Sequence, residues 1–215
     1  MPDARPAFRY DRALGRYRDG ASGRLVPYAR VRGFLDSALE SAGKRMDALA
    51  SQLRAGQIDP ITWEVRMRRE VKVVSTYSGA AAKGGWAQMT EADYGRVGRY
   101  VQDQYRFLRG FLRDIETGKQ PLNGTVNARS KLYAEAGRPL YHLIEKAEML
   151  VRGNTERRSL RHSRDSCMGC VAAAARGWLP INDKSQTEIG QRDCRTRDRC
   201  SWEYRIGAEA SRTYR

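Results

Sequence analysis

All four cysteines of this 215-residue chain fall in one stretch near its C-terminus. Two residues separate Cys167 from Cys170, and five separate Cys194 from Cys200. Four sulfurs in two close pairs are typical of a tetrahedral metal site. The sequence therefore predicts a structural Zn²⁺ bound by Cys167, Cys170, Cys194 and Cys200. We expect Gly169 to supply the positive φ of a tight turn inside the first pair.

Other interpretations of the cysteines stay open at this point. The N-terminus has no apolar core of a secretion signal, which disfavours disulfides, and no α/β pattern surrounds the C-x-x-C to suggest a redox motif. Disulfides and free buried thiols remain alternatives. Four thiolates would leave no open position for a catalytic water, so a catalytic zinc is disfavoured. His162, five residues before Cys167, is a possible replacement ligand.

The charge balance indicates an anionic partner. The chain carries a formal net charge of +15, mostly from arginine, and no apolar run is long enough to span a membrane. Nucleic acid, an anionic membrane surface and an acidic protein would all satisfy this charge. The basic residues are spread along the whole chain, which favours contact with phosphates over readout of base sequence.

The first 30 residues are rich in Arg, Pro, Gly and Tyr and lack a helical apolar period. We interpret residues 1–30 as an extended arm with a turn near Asp19 to Gly23, ordered by a partner or by packing onto the helices; disorder is the alternative. Docking of the arm onto a partner subunit would bury its apolar and aromatic side chains. These are Phe8, Tyr10, Tyr17, Leu25 and Tyr28.

Apolar residues recur at spacings of three and four through residues 31–153. This pattern predicts a helical domain of about four helices. Asp59 and Pro60 predict a helix start, and Thr90 predicts a capping box. The second helix should fade through Ser78–Ala82, and the last should break at Gly137–Pro139. The predicted helices run over about residues 31–54, 60–84, 91–118 and 125–152.

Residues 154–215 predict a small α+β module that needs the zinc to hold its shape. Its first part, residues 154–164, is polar and basic and is interpreted as a linker. A helical turn is expected at residues 172–175 and a strand at 201–206. The candidate residues for non-specific DNA contact, or for contact with a protein, cluster around the linker. They are Arg152, Arg157, Arg158, Arg161 and Arg164.

No residue pattern of a known catalytic site is present. The chain has only two histidines, His142 and His162, and neither a catalytic triad order, a phosphate-binding glycine loop nor a zinc-protease motif occurs. A zinc-stabilised nuclease of the ββα-metal type would need a histidine base beside a ligating histidine, and no adjacent pair exists. The sequence therefore predicts a protein without enzymatic activity.

Several motifs in the C-terminal half resemble one family. The order is A-R-S-K-L-Y-A-E-A-G-R-P-L-Y (Ala128 to Tyr141), D-S-C-M-G-C, I-G-Q-R-D-C (Ile189 to Cys194) and D-R-C-S-W-E-Y. It resembles the minor head proteins of tailed phages in the head-morphogenesis family, in which a helical region leads into a cysteine module. Asp198 stands where that family has a middle cysteine, so the resemblance leaves open whether Asp198 joins the ligands. Arg16 to Pro27 also resembles the opening of phage structural proteins.

The resemblance implies a structural component of the phage head, associated with the portal or inner capsid and in contact with packaged DNA. Its partners would be capsid or portal proteins within a large assembly. Its location would be the virion, and the host cytoplasm before assembly. A free zinc-containing regulatory protein that binds nucleic acid is the main alternative, and an adaptor whose basic face meets an acidic protein is another.

Overall fold

The computed structural model describes residues 8–11, 16–162, 165–194 and 200–207. The protein is mainly helical, as predicted, with short strands near the beginning and end of the described chain. It divides into two compact units, Met1–Leu140 and Tyr141–Arg215. The sequence predicted this boundary at residues 153–154. The observed boundary lies earlier in the chain because the C-terminal part of the last long helix belongs to the second unit. In that part, Lys146 forms an ion pair with Glu188 at 2.9 Å.

The described part of the N-terminal region is extended, and its strands pair into a small sheet that the sequence did not predict. Strands β1 (Phe8–Asp11), β2 (Arg16–Asp19) and β3 (Leu25–Val26) form an antiparallel sheet in that order. Tyr17 and Val26 are buried with Val31 of the following helix, and Phe8 packs against them. The region is therefore ordered by packing within its own unit, which was one of the two possibilities considered for the arm.

Five long helices follow the sheet. They are α1 (Tyr28–Arg54), α2 (Pro60–Lys83), α3 (Glu91–Glu116), α4 (Gly124–Glu135) and α5 (Gly137–Val151). A short 3-10 helix, Trp86–Gln88, separates α2 from α3. Helix α1 packs on α2 and α4, and α2 packs on α3.

The predicted start signals are confirmed at two helices. The Asp59 carboxylate accepts a hydrogen bond from the Thr62 amide at 2.8 Å, and Pro60 is the first residue of α2. Thr90 and Asp93 form a capping box at the start of α3, each accepting from the other's backbone amide. Local side-chain chemistry thus fixes where both helices begin.

The break in the last predicted helix is confirmed, and the structure adds its reason. Helix α4 ends at Glu135 and α5 begins at Gly137. A Cβ on Gly137 would lie 2.5 Å from Ser78 Oγ and 2.7 Å from Leu39 Cδ2, so only glycine permits this approach. We expected α2 to lose its helical structure through Ser78–Ala82, but the helix continues to Lys83. All five residues are buried within α2, because their small side chains let another helix come close.

Apolar stripes fill the core of the first unit as the periodicity predicted. Trp63 is 0% exposed and meets Phe111 edge-to-face, with ring centroids 5.0 Å apart. Phe111 also stacks on Tyr133 at 6.2 Å. Helices α1, α2, α3 and α4 therefore share one continuous apolar interior.

The second unit contains the remaining part of α5, a small sheet and one short helix. Strands β4 (Glu156–Leu160), β5 (Leu179–Pro180) and β6 (Ser201–Arg205) are antiparallel, with β4 in the centre. Helix α6 (Met168–Ala175) contacts β4. The predicted strand at 201–206 and helix around 172–175 are confirmed. The predicted linker is wrong for residues 156–160, which form the central strand.

Within the described part of the chain, no helix has both the length and the apolar character that crossing a membrane would require.

Candidate metal centre

The first cysteine pair lies at the N-terminus of helix α6. Cys167 is its N-cap residue, and Cys170 in the first turn donates its backbone amide to the Cys167 carbonyl at 3.0 Å. Residues three apart on a helix share a face, so this turn brings both sulfurs to one side. Gly169 is an ordinary helical residue, and the positive φ predicted for it is wrong. The helix itself provides the turn that the left-handed residue was expected to make.

The second pair is split between a loop and a strand. Cys194 lies in the segment after β5, and Cys200 directly precedes β6. Residues 195–199 between them, including Asp198, lie outside the described chain. Whether Asp198 is a metal ligand therefore stays open.

Three sulfurs converge in this structure. The Sγ atoms of Cys167, Cys170 and Cys194 lie within 4.8 Å of one another, and those of Cys170 and Cys194 are 3.5 Å apart. In a tetrahedral zinc–thiolate centre with bonds of about 2.3 Å, neighbouring sulfurs are about 3.8 Å apart. All four cysteines are free thiols. Cys167, Cys170 and Cys194 therefore could bind a metal ion.

Cys200, the fourth predicted ligand, is buried beside this group. It forms an apolar cluster with Cys170, Ile189 and Trp202, and Cys167 and Cys194 pack against that cluster. Its sulfur is not within the three-sulfur group. The Cys170 and Cys200 thiols are nevertheless neighbours, because a hydrogen bond between them opposes part of the rise that burial causes in the pKa of Cys170.

The two thiols of the first pair have opposite acid–base tendencies. Burial acts to raise the pKa of Cys167, but hydrogen bonds from Cys170 and Cys194 outweigh it and hold that pKa below its ordinary value. Burial and the hydrogen bond with Cys167 raise the pKa of Cys170. A cysteine at a helix N-terminus is favoured as thiolate, the form that binds metals.

Asp193 connects the second cysteine loop to the start of α6. Its Oδ2 accepts a hydrogen bond from the Gly169 amide at 2.9 Å. A Cβ on residue 169 would approach the same oxygen to 3.1 Å, which is tighter than an ordinary contact. Glycine therefore allows Asp193, the neighbour of Cys194, to dock on the helix N-terminus.

Buried arginines surround the sulfurs. Arg192 is buried, donates to Cys170 Sγ at 3.8 Å and lies 5.0 Å from the centre of the Trp202 ring. Arg157 is 0% exposed, lies 4.1 Å from the same ring and makes a two-pronged ion pair with Glu188 at 2.7 and 2.8 Å. A cation beside thiolates offsets their negative charge, so Arg192 favours the deprotonated cluster.

Sequence reasoning missed these supporting residues. Arg157, Glu188, Arg192 and Trp202 were not recognised as surroundings of the cysteines. The sequence of β4, E-R-R-S-L, contained no signal, because its buried positions, Arg157 and Ser159, are polar and do not alternate with apolar residues. A buried arginine needs a carboxylate partner, and the sequence alone did not show that Glu188 would meet it.

The arginines predicted to contact nucleic acid are mostly engaged within the protein. The prediction that Arg157 contacts nucleic acid is wrong, because its side chain lies on the buried face of β4 and is 0% exposed. Arg152 pairs with Glu148 at 2.9 Å, and Arg158 pairs with Glu203 at 2.5 Å. Arg161 is exposed, and Arg164 lies outside the described residues. The basic segment is therefore not the continuous solvated patch that its composition suggested.

The residues predicted for partner docking are divided in the same way. Tyr17 is buried in the N-terminal sheet, and Phe8 meets Phe34 edge-to-face with centroids 5.7 Å apart. Leu25 is 45% exposed. The side chains of Tyr10 and Tyr28 lie outside the described part. Of the side chains that are described, only Leu25 keeps a large exposed surface.

The histidines are both hydrogen-bonded away from the sulfurs. His162 Nε2 is 2.6 Å from Ser201 Oγ, and His162 is not in the sulfur group. His142 is buried, with Nδ1 2.9 Å from Glu145 Oε2. Among the described residues, the only metal-type cluster of three or more ligands is therefore the one made of cysteines.

We compared the chain with protein-family models, with curated proteins and with solved structures, and none of them matches it.

Proposed function

We propose that this protein is a structural component of a tailed-phage head whose C-terminal unit is held together by one Zn²⁺. The observation that carries the proposal is the convergence of Cys167, Cys170 and Cys194, with Sγ atoms within 4.8 Å of one another. These cysteines belong to the same motifs on which the resemblance to phage head-morphogenesis proteins rests.

The donor set favours zinc. Soft thiolate ligands select Zn²⁺ over the hard cations, and a site closed by four sulfurs is structural. Cys200 is the fourth ligand in this proposal, because it is buried in the same cluster as Cys170. Arg192 supplies compensating positive charge.

The proposed role of the metal is to stabilise a unit with a small core. The buried residues of the apolar cluster around the cysteines are Ile189 and Trp202 together with Cys170 and Cys200. Units below about 70–80 residues rarely bury enough apolar surface to be stable without a metal, disulfides or a partner. A metal bound by four thiolates would join the start of α6, the segment that carries Cys194 and the residue before β6.

The partner proposal rests on charge and on the resemblance. A net charge of +15 suits a protein located beside packaged DNA, with capsid or portal subunits as the protein partners. Leu25 in the N-terminal sheet remains a candidate docking residue, being 45% exposed. In this proposal the protein has an architectural role in head assembly and no enzymatic activity.

Metal content tests the first part of the proposal. Elemental analysis of the purified full chain should find one zinc per chain, and Co²⁺ substitution should give the absorption of a tetrahedral thiolate centre. Cys200→Ser should lower the zinc content or affinity, whereas His162→Ala should leave both unchanged. Protein that is folded but free of metal, with oxidised cysteines, would refute the zinc site.

Particle composition tests the second part. Mass spectrometry of purified phage heads should detect the protein, and Leu25→Asp should reduce its incorporation relative to Ile206→Asp, a matched change at another exposed apolar residue. A protein that is absent from particles but binds DNA in the lysate would contradict the head assignment and favour the regulatory alternative.

A further inference from the structure

Four exposed arginines lie on the outward face of helix α3. They are Arg99, Arg106, Arg109 and Arg113, which we call the α3 arginine face. Their spacings of seven, three and four residues place them on one stripe along the helix. The first and last are 14 positions apart, so the stripe is about 21 Å long.

The stripe lies opposite the side of α3 that packs into the helical core. Val97, Val101, Leu108 and Ile115 are buried, and they lie on the other side of the helix axis from the arginines. Exposed Phe107 comes one residue after Arg106, which places it about 100° around the axis. Its ring nevertheless contacts Arg106, whose Cζ lies 5.5 Å from the ring centre. The arginine face therefore has one exposed aromatic side chain at its edge and no large apolar side chain along its centre.

Most of these arginines have no acidic partner. Among the described residues, Arg99, Arg109 and Arg113 make no ion pair, and Arg106 reaches only Asp103, at 3.1 Å with both side chains exposed. Elsewhere in the chain arginines are commonly paired, as Arg129 is with Asp114 and Arg138 with Asp36. Like charges three and four residues apart repel one another, so the α3 arginine face favours an external anion.

The surface around these arginines is smooth. Gly95, Gly98 and Gly110 lie on the same side of α3, and a Cβ at each would meet nothing within 4 Å. An extended ligand can therefore approach the helix backbone between the arginines. A shallow open groove is lined by Gln102, Asp103, Arg106, Arg109, Gly110 and Arg113.

We infer that the α3 arginine face binds the phosphate backbone of double-stranded DNA without sequence preference. The inference rests on the DNA contact in the proposed function and moves that contact from the β4 arginines to α3. Arginine suits phosphate because its planar fork donates two parallel hydrogen bonds. Phosphates of one DNA strand follow one another every 3.4 Å or so along the duplex axis, so a stripe of about 21 Å spans several of them.

DNA fits this face better than an acidic protein does. Protein interfaces draw most of their binding energy from buried apolar or aromatic anchors in the centre of the patch, and the α3 arginine face has none. Contacts to phosphates need no such anchor, because release of counterions supplies the free energy. Three of the four arginines make no ion pair, and the one aromatic neighbour, Phe107, lies at the edge of the row. The α3 arginine face is therefore suited to phosphates.

The test compares two full-chain variants that each lose four positive charges. One is Arg99→Gln with Arg106→Gln, Arg109→Gln and Arg113→Gln, which keeps good helix formers on α3. The control changes four exposed cations elsewhere to glutamine, namely Arg24, Arg30, Lys44 and Lys184. Binding to a labelled duplex of random sequence is followed by fluorescence anisotropy at several salt concentrations, and circular dichroism checks that each variant is folded.

We expect the α3 variant to bind the duplex at least about tenfold more weakly than the control variant near 0.1 M salt. Its plot of log affinity against log salt should also be less steep by about 3 to 4, one unit for each lost phosphate contact. Equal losses in the two variants, or an α3 variant that binds like the natural chain, would overturn the inference.

Two further outcomes separate this inference from the proposed function. A natural chain that ignores the duplex but binds polyglutamate through the α3 arginine face would overturn the inference in favour of an acidic protein partner. Absence of the protein from phage heads would refute the head assignment, whereas the anisotropy result on DNA would stand.

Discussion

Residues 1–140 and residues 141–215 bury their cores with different kinds of side chain. In the first unit most of the largest buried side chains are apolar, such as Trp63, Met67 and Phe111, although Arg138 is buried as well. In the second unit the central cluster contains two cysteines beside Ile189 and Trp202, and Arg157 is buried against it. Each large apolar side chain contributes roughly 1.5–3 kcal/mol on burial, whereas a buried ion pair contributes little net stability.

This difference teaches that the two units depend on different interactions. Long helices with continuous apolar stripes give the first unit enough burial to fold without further help. The second unit places its polar groups in a defined network around Trp202 and the sulfurs, and every member of such a network needs its partner. Four substitutions test how each unit is stabilised, and they follow in order of decreasing expected effect.

Cys170→Ser should remove the ordered structure of the second unit and leave that of the first. The reason is that the proposed zinc site would contribute folding free energy directly, and one missing thiolate would open it. Hydrogen exchange followed by mass spectrometry should show loss of protection in peptides from residues 156–207 and retained protection in α1 to α3. Met168→Ser, at a neighbouring residue that is 78% exposed, is the matched control. Equal protection in both variants would show that the sulfurs are not needed for the fold.

Trp63→Ala should destabilise the first unit by about 3–5 kcal/mol, because it removes a fully buried ring that contacts Phe111. Chemical denaturation should show the change in the transition of the helical unit. Ile61→Ala, two residues earlier and 65% exposed, should change the free energy of unfolding by less than about 0.5 kcal/mol. A small effect of Trp63→Ala would contradict the picture of a core held by large apolar side chains.

Glu188→Gln should destabilise the second unit by roughly 2–3 kcal/mol, because it leaves Arg157 buried without its carboxylate. This is less than for a fully buried pair, since Glu188 is partly exposed. Glu203→Gln breaks only the exposed pair with Arg158 and should cost at most about 1 kcal/mol. Denaturant titrations of the two variants provide the comparison, and similar losses would argue against a special role of the buried pair.

The same glutamate predicts a pH dependence. Burial acts to raise the pKa of Glu188, but hydrogen bonds from Arg157 and Lys146 outweigh it and lower that pKa in the folded protein. A depressed carboxyl pKa gives stability that is present above the unfolded value, near 4.5, and that is lost as the pH falls through the folded value. The natural chain should therefore lose more stability below about pH 4.5 than Glu188→Gln does.

Gly137→Ala should destabilise the first unit by about 1–3 kcal/mol, because the new methyl group would collide with Ser78 and Leu39. Gly98→Ala has open space around its Cβ and should stabilise α3 by about 0.5–1 kcal/mol. Thermal unfolding of both variants shows whether each substitution raises or lowers the midpoint temperature. If both substitutions stabilise, the close approach at Gly137 does not constrain the packing.

Helix positions were the part of the fold that the sequence predicted best. Asp59, Pro60 and Thr90 each act within one turn of their own helix, so their neighbours in sequence are also their neighbours in space. The apolar stripes of α1 to α3 likewise reflect the local period of the helix. The N-terminal sheet was missed because β2 and β3 pair across a turn whose polar residues conceal the alternation.

The cysteine site was predicted in part. Spacing alone indicated that Cys167 and Cys170 would share a face, and the structure adds Cys194 to them. Spacing did not show the burial of Arg157 or its ion pair with Glu188, because strand β4 and the loop carrying Glu188 lie far apart in the chain. Composition likewise suggested that the arginines near β4 face solvent, whereas Arg152, Arg157 and Arg158 form ion pairs. Three exposed arginines of α3 form none.

The sequence by itself determined the mainly helical class, the helix ends and the grouping of the four cysteines, since these depend on interactions between residues a few positions apart. Only the tertiary structure decided which arginines are buried, which are free to bind an anion, and why Gly137 must be glycine. Those properties depend on contacts between distant segments, and pairing a charge or filling a gap requires knowing which segments meet.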